Sequence, residues 1–247
     1  MIEQKNMVQE KKDFIFILIF AVITVALWQF QLGRYILYPF TILGTWFHEM
    51  SHGICALVLG GTFHKLELNP DGSGLAVFSG ILFLGNIGNA ITAAAGPVGP
   101  SIAGAVFIIS SKNQKMTKVV LLVLAFLLLI SDIIWVRTGF GFLVILFLGL
   151  GIGLASLKAG ARAGKLILQF LGVQACVSVY LSIGYLFSDG GIAGERVYQS
   201  DTAVISNNLF LPFWIWGILI LAFSTLIILG SLRVIYSEKM RTKTKQI

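Results

Sequence analysis

Two histidines and a glutamate lie close together in one of the most apolar parts of the chain. His48, Glu49 and His52 form the pattern H-E-x-x-H. On a helix, residues i and i+4 project from nearly the same face one turn apart, so both imidazoles can bind one Zn²⁺ ion. Glu49 projects about 100° from His48. It is too far round the helix to be a third ligand, but it can take a proton from a metal-bound water. The pattern therefore predicts metal-assisted hydrolysis rather than a pair of structural histidines.

The composition indicates a membrane protein. Of the 247 residues, 57% are hydrophobic and only 12% are charged, whereas soluble domains carry about 25% charged residues. The formal net charge is +7, and the lysines and arginines lie at the ends of apolar segments, as lipid headgroups favour. We therefore expect the lipid bilayer as a partner and no nucleic acid.

Several apolar segments are long enough to cross a bilayer, which predicts about six to seven transmembrane helices. They cover residues 14–32, 35–59, 80–109, 119–136, 140–157, 166–187 and 212–234. The third segment contains "AAAGPVGP", whose glycines and prolines predict a kink or partial unwinding. The basic stretches 112–118 and 158–165 and the basic tail are separated by pairs of helices, so all three fit one side of the membrane.

A hairpin is predicted directly after the H-E-x-x-H segment. Two short strand-like runs flank the turn signal Asn69-Pro70-Asp71-Gly72. Because isolated hairpins are marginal, this one should lean on the helices or on a substrate, and its edge could hold a substrate by strand addition. The predicted fold class is an all-α polytopic membrane protein with a short β-hairpin, forming a single integral membrane domain over residues 1–247.

A catalytic zinc needs a third protein ligand, and the residues alone leave several candidates. His64 and Asp71 lie in the hairpin, where a solvated strand residue and ordinary turn chemistry are the simpler interpretations. Asp132 lies deep in the fourth apolar segment. Asp189 and Asp201 lie in the polar stretch that precedes the last helix.

The order of these motifs resembles a known family. "FHEMSHG", the hairpin and "AAAGPVGP", with the later "FLGVQACVSVY", "SDTA" and "LPFWIWGILI", are similar to the site-2 proteases. These are intramembrane zinc metalloproteases of peptidase family M50, and the likeness is to the bacterial M50B-like branch in particular. The resemblance covers about residues 40–235, the expected core of the domain.

The resemblance implies a zinc ion held by His48, His52 and a distant aspartate, with Glu49 activating the zinc-bound water. It implies hydrolysis of peptide bonds in transmembrane protein substrates by a multi-pass protein of the bacterial cytoplasmic membrane. Two alternatives remain: a catalytically inactive relative that binds membrane partners, and a transporter whose His/Glu cluster lines an ion path.

The resemblance also ranks the aspartates. The wider family carries its ligand in an Asn-Pro-Asp-Gly or Leu-Asp-Gly-Gly context on a later helix. Asp71 has the first context but lies only a short way past His52, and Asp189 has half of the second. Ser200-Asp201-Thr202 is similar to the Ser-Asp-Ala signature of the branch, although Ser200 could simply cap a helix. Asp201 is the favoured third ligand, Asp189 is next, and Asp132 follows.

Overall fold

The computed structural model describes the backbone of residues 2–193 and 196–243 and the side chains of residues 14–190 and 198–235. The long helices are α1 (Ile2–Trp28), α2 (Gln31–Val58), α3 (Asn86–Ser110), α4 (Gln114–Ile134), α5 (Gly139–Lys158), α6 (Ala161–Leu181) and α9 (Phe213–Lys243). Two short helices, α7 (Ile183–Leu186) and α8 (Asp201–Asn208), precede the last one. The strands are β1 (Thr62–Leu68), β2 (Gly74–Ser79), β3 (Gly190–Ala193) and β4 (Arg196–Gln199).

The helices confirm a polytopic membrane protein. Within the described residues, α3, α4, α5, α6 and α9 are each long and apolar enough to cross a bilayer. The apolar part of α1 and α2 form a sixth candidate span as a pair, bent by 119° at Trp28–Gln31. The predicted all-α fold class is therefore confirmed, with five or six candidate spans. The upper estimate of seven counted α1 and α2 as separate spans.

The predicted hairpin is present and lies along α2. Strands β1 and β2 pair antiparallel, with Leu66 opposite Ala76. The turn between them is held to α2 by two hydrogen bonds: the Tyr38 hydroxyl donates to the carbonyl of Pro70 at 2.5 Å, and the Thr45 hydroxyl donates to that of Gly72 at 2.7 Å. The hairpin thus runs back beside the helix that carries the H-E-x-x-H pattern.

The outer edge of β1 is occupied by the segment that links α4 to α5. The Leu66 N–H donates to the carbonyl of Trp135 at 2.8 Å, and the Arg137 N–H donates to that of Leu66 at 3.0 Å. Leu66 and Leu68 are fully buried. One edge of the hairpin is therefore part of the protein interior, and the other edge, on β2, faces α2.

Helix α3 is not unwound at its Gly-Pro motif, so the partial unwinding that the sequence allowed is absent from this helix. It is continuous from Asn86 to Ser110 with Pro97 and Pro100 inside it. The glycines of its motif instead allow close packing on α2, because a Cβ at Gly96 would lie 2.1 Å from His52 Nε2 and one at Gly99 would lie 1.9 Å from Ser51 Oγ. The small residues serve contact between two helices, as is common in membrane proteins.

Helix α8 is fixed at its first turn. Ser200 caps the helix by accepting a hydrogen bond from the Ala203 N–H at 3.2 Å, and its hydroxyl donates to the carbonyl of Ser188. The Thr202 hydroxyl donates to the carbonyl of Leu186 at 2.8 Å. Both hydroxyl groups are buried, so the start of α8 has a defined position against α7.

Candidate metal centre

Three side chains from two distant parts of the sequence meet in the bundle. His48 and His52 lie one turn apart on α2, and Asp201 is the first residue of α8. The two Nε2 atoms are 3.2 Å apart. Asp201 Oδ2 lies 3.1 Å from His48 Nε2, and Oδ1 lies 3.2 Å from His52 Nε2. The three residues could hold a metal ion.

The hydrogen bond behind His52 determines which nitrogen can bind a metal. Nδ1 of His52 lies 2.7 Å from the backbone carbonyl of Thr92 on α3. A carbonyl only accepts, so Nδ1 carries the proton and, in the neutral ring, Nε2 presents its lone pair to the centre. Such a bond from the second ring nitrogen is the usual way in which proteins orient a metal-binding histidine.

The contacts among the three side chains need a proton or a metal ion between the nitrogens and the carboxylate. The carboxylate of Asp201 only accepts hydrogen bonds, and it faces two ring nitrogens within a buried site. Its Oδ2 receives no hydrogen bond from the described residues, although His48 Nε2 lies 3.1 Å away. A proton on an imidazole or a metal ion can satisfy this arrangement.

The distances fit zinc. Tetrahedral ligands at ~2.0–2.1 Å from a zinc ion lie about 3.3 Å from one another. The two Nε2 atoms are 3.2 Å apart, and each lies 3.1–3.2 Å from a different oxygen of Asp201. Two imidazoles with one carboxylate are also a donor set that catalytic zinc sites use, with a fourth position left for water. The residues therefore fit the metal that the H-E-x-x-H spacing predicts.

Glu49 lies beside this group and is held by the hairpin. Its side chain is only 8% exposed, and Oε2 accepts the backbone N–H of Ala76 at 2.8 Å. A Cβ at Gly74 would lie 2.7 Å from Glu49 Cγ, so this glycine allows β2 to approach the carboxylate. The base candidate is thus positioned by β2, while the two histidines are positioned by α3 and α8.

The other aspartates of the sequence lie elsewhere. Asp189 is exposed and outside the group, and its backbone carbonyl accepts the N–H of Ser200 at 3.4 Å. Asp132 is buried in α4, and neither of its carboxylate oxygens has a hydrogen-bond partner among the described residues. The structure does not bring either of them to the histidines, although the sequence left both as candidate ligands.

The polar residues of the hairpin serve the hairpin itself. The hydroxyl and backbone N–H of Ser73 donate to Asp71 at 2.6 and 2.9 Å, which holds the pKa of this carboxyl below its ordinary value. His64 contacts the Ser79 hydroxyl at 2.6 Å. Both residues follow the simpler interpretation that the sequence offered for them.

Some residues around the centre have no signal in the sequence that reveals their position. The ring of Tyr185 packs edge-on against His48, with centroids 6.4 Å apart. Thr92 contributes only a backbone carbonyl, which any residue could provide. Gly96 did stand out, but as a helix breaker rather than as the space that His52 requires.

The fold and the centre together define a class of protein: a multi-pass membrane protein in which a buried His-His-Asp group beside a glutamate could hold a metal ion. The sequence model of the Peptidase M50B-like family matches residues 16–231. The chain therefore belongs to this family of site-2-protease-like metallopeptidases. No curated protein and no solved structure matches the chain.

Proposed function

We propose that this chain is a zinc-dependent intramembrane endopeptidase that hydrolyses peptide bonds of membrane-protein substrates. Family membership supports a metallopeptidase in general. The observation that carries the proposal is the meeting of His48, His52 and Asp201 next to Glu49, within a bundle of apolar helices. The proposal takes the chain as one membrane domain, and the bacterial cytoplasmic membrane remains its predicted location.

In this proposal His48 and His52 would hold zinc through Nε2, and Asp201 would hold it through its carboxylate. Zinc in such a site supplies Lewis acidity and makes water acidic enough to react near neutral pH. The protein contributes the orientation: Thr92 fixes the ring of His52, and the capped start of α8 fixes Asp201.

Glu49 is the proposed general base. Its Oε2 is bound to the N–H of Ala76, which leaves Oε1 to accept a proton from the attacking water. The water oxygen then bonds to the scissile carbonyl carbon, the carbon–nitrogen bond breaks, and Glu49 returns the proton to the leaving amine. General acid–base catalysis of this kind contributes about 10²–10⁴-fold to the rate.

The outer edge of β2 is the proposed position for an extended substrate. Leu66 and Ala76 lie opposite each other, but their backbone groups point away from the hairpin. Leu66 bonds to the segment that follows α4, and the N–H of Ala76 bonds to Glu49. The N–H of Ala76 is already bound by Glu49, so an added segment would pair with the part of β2 beyond Ala76 and would lie beside the base. Peptides commonly bind by adding a strand to a sheet edge, and this one would keep the substrate backbone unwound.

The test uses the full-length protein in lipid nanodiscs together with a solubilised membrane-protein fraction. Bound zinc is measured by elemental mass spectrometry, and new protein N-termini are counted after N-terminal labelling. We expect one zinc per chain in the wild type and in Glu49→Gln, with new termini from the wild type only.

Three results contradict parts of this proposal. Folded wild-type protein that takes up no zinc excludes the zinc site. Zinc-bound wild type that produces no more termini than a protein-free nanodisc control favours the inactive relative that binds membrane partners. Equal cleavage by both proteins excludes Glu49 as the base.

A further inference from the structure

A second polar cavity lies away from the metal centre, at one end of the bundle. Its volume is about 390 Å³, and its lining comes from α1, from the turn between α3 and α4, and from the first turns of α4 and α6. Phe16, Lys112, Gln114, Arg162 and Lys165 are part of this lining. We call this cavity the basic pocket.

The described lining of the basic pocket carries charge of one sign. Among the described residues that line it there are three cations and no carboxylate. Arg162 and Lys165 lie one turn apart on the same side of α6, and Lys112 joins them from the α3–α4 turn. The Lys112 ammonium also donates to the carbonyl of Val234 at 3.1 Å, which holds it in place. Arg162 is exposed, and no hydrogen bond or ion pair joins it to the described residues.

The position of the pocket is that of the membrane–water interface. Helix α3 ends at Ser110, α4 begins at Gln114, and α6 begins at Ala161, so the pocket lies where three candidate spans leave the apolar layer. Next to it, α1 exposes Ile15 and Ile19 to the surroundings. A ligand with a charged group in the pocket can therefore lay an apolar tail along α1.

We propose that the basic pocket binds the headgroup of an anionic phospholipid. The phosphate would pair with Arg162, Lys165 and Lys112, and the acyl chains would lie along the apolar face of α1. Basic pockets between membrane helices recognise lipid headgroups by this electrostatic attraction. Because the pocket draws on α1, α4 and α6 at once, a bound lipid connects three helices that share no loop in common.

The test measures lipid binding by native mass spectrometry of the full-length protein in detergent. Dioleoyl phosphatidylglycerol is titrated against dioleoyl phosphatidylcholine, with inorganic phosphate as a third arm. We expect one phosphatidylglycerol to bind before any phosphatidylcholine. Neutralising one cation near the surface costs about fivefold in affinity, so Arg162→Gln with Lys165→Gln should weaken the first binding event by about 30-fold.

The matched control removes the same charge from the same side of the protein outside the pocket. Lys115→Gln with Lys118→Gln should keep the affinity within about twofold, because these lysines do not line the cavity. Arg162→Gln alone breaks no hydrogen bond or ion pair with the described residues and should cost about fivefold. The charge-preserving pair Arg162→Lys with Lys165→Arg should restore most of the binding.

Two outcomes overturn the proposal. An equal loss in the pocket variant and in the Lys115/Lys118 control means that the lipid responds only to diffuse positive charge. Displacement of phosphatidylglycerol by an equal concentration of inorganic phosphate means that the pocket is a site for free anions. Neither result depends on peptidase activity.

Discussion

Two short stretches of this chain place an aspartate in a context that the M50 family uses, and only one of them reaches the histidines. Asp71 follows Asn69-Pro70 at the tip of the hairpin, where it is exposed. Asp201 follows Ser200 at the start of α8, where it is 7% exposed and lies within 3.2 Å of both imidazoles. The Asn-Pro-Asp-Gly motif forms the hairpin turn. The Ser-Asp-Thr motif places its aspartate in the candidate metal centre.

The difference lies in which group forms the local hydrogen bonds. In the hairpin, Asp71 itself accepts both bonds from Ser73, so its carboxylate is used by the turn. At α8, the hydroxyls of Ser200 and Thr202 form the cap and the contacts to the preceding backbone. The carboxylate of Asp201 is left available. The Asp201 carboxylate can bind a metal because the neighbouring hydroxyl groups, and not the carboxylate, form the hydrogen bonds that fix the backbone.

The largest expected effect separates the two aspartates directly. Asp201→Ala should abolish stoichiometric zinc binding and cleavage, because it leaves two protein ligands; the loss should exceed the about 100-fold cost of outer-shell changes. Asp71→Ala should retain both zinc and activity. Bound zinc and new protein termini are measured for the two variants side by side, and a loss of zinc in Asp71→Ala would reverse the comparison.

The next prediction concerns the space that the centre needs. Gly96→Ala places a methyl group 2.1 Å from His52 Nε2, so the ring must turn away and zinc affinity should fall by about 10–100-fold. Gly151→Ala on α5 is the control, since a Cβ there meets no atom within 4 Å. Competition with a zinc chelator gives both affinities, and equal values would show that α3 does not constrain the ring.

A smaller effect tests whether the hydroxyls beside Asp201 hold it in position. Thr202→Val keeps the side-chain shape but leaves the buried carbonyl of Leu186 without its donor, at a cost of about 1–3 kcal/mol. Cleavage should fall by about tenfold through misplacement of Asp201. Thr202→Ser keeps the hydroxyl and should restore the rate. If the valine variant unfolds earlier but cleaves normally, the hydroxyl stabilises α8 without positioning the ligand.

The smallest effect belongs to the hairpin turn. The pKa of Asp71 is lowered in the folded protein, so its ionised form stabilises the fold above its unfolded pKa of about 4. This contribution is lost as the pH falls below that value. Asp71→Asn should therefore lower the thermal unfolding midpoint slightly at pH 7. In acid, the midpoints of the variant and the wild type should lie closer together. A difference in unfolding midpoint that is the same at all pH values would mean that the charge of Asp71 does not contribute to stability.

The parts of this molecule that depend on local patterns could be predicted from the sequence. The spacing of His48 and His52 gives the orientation of two imidazoles on one helix, and the Asn69–Gly72 turn gives the hairpin; the predicted fold class is confirmed. Long-range features were beyond such patterns. The bond between Glu49 and β2 depends on how the hairpin folds back, and nothing local shows it.

The third ligand illustrates the same limit. Asp201 lies far along the chain from His48, and its choice over Asp189 depended on family resemblance rather than on spacing. The structure brings Asp201 to the histidines, and its role as a zinc ligand remains a prediction. The Gly-Pro motif of α3 shows a related limit. Its prolines suggested partial unwinding, but the helix is continuous, and its glycines allow α2 to approach closely.

The contact between β1 and the segment after α4 limits where an extended peptide can bind to the hairpin. A two-stranded hairpin has two edges, and an extended peptide can pair with either. Leu66 closes one of them through its bonds to Trp135 and Arg137. In the proposed function, the remaining edge is the one beside Glu49, whereas a peptide on the far side of β1 would lie about 10 Å further from the base. The occupied edge thus removes a non-productive binding mode that would compete with turnover.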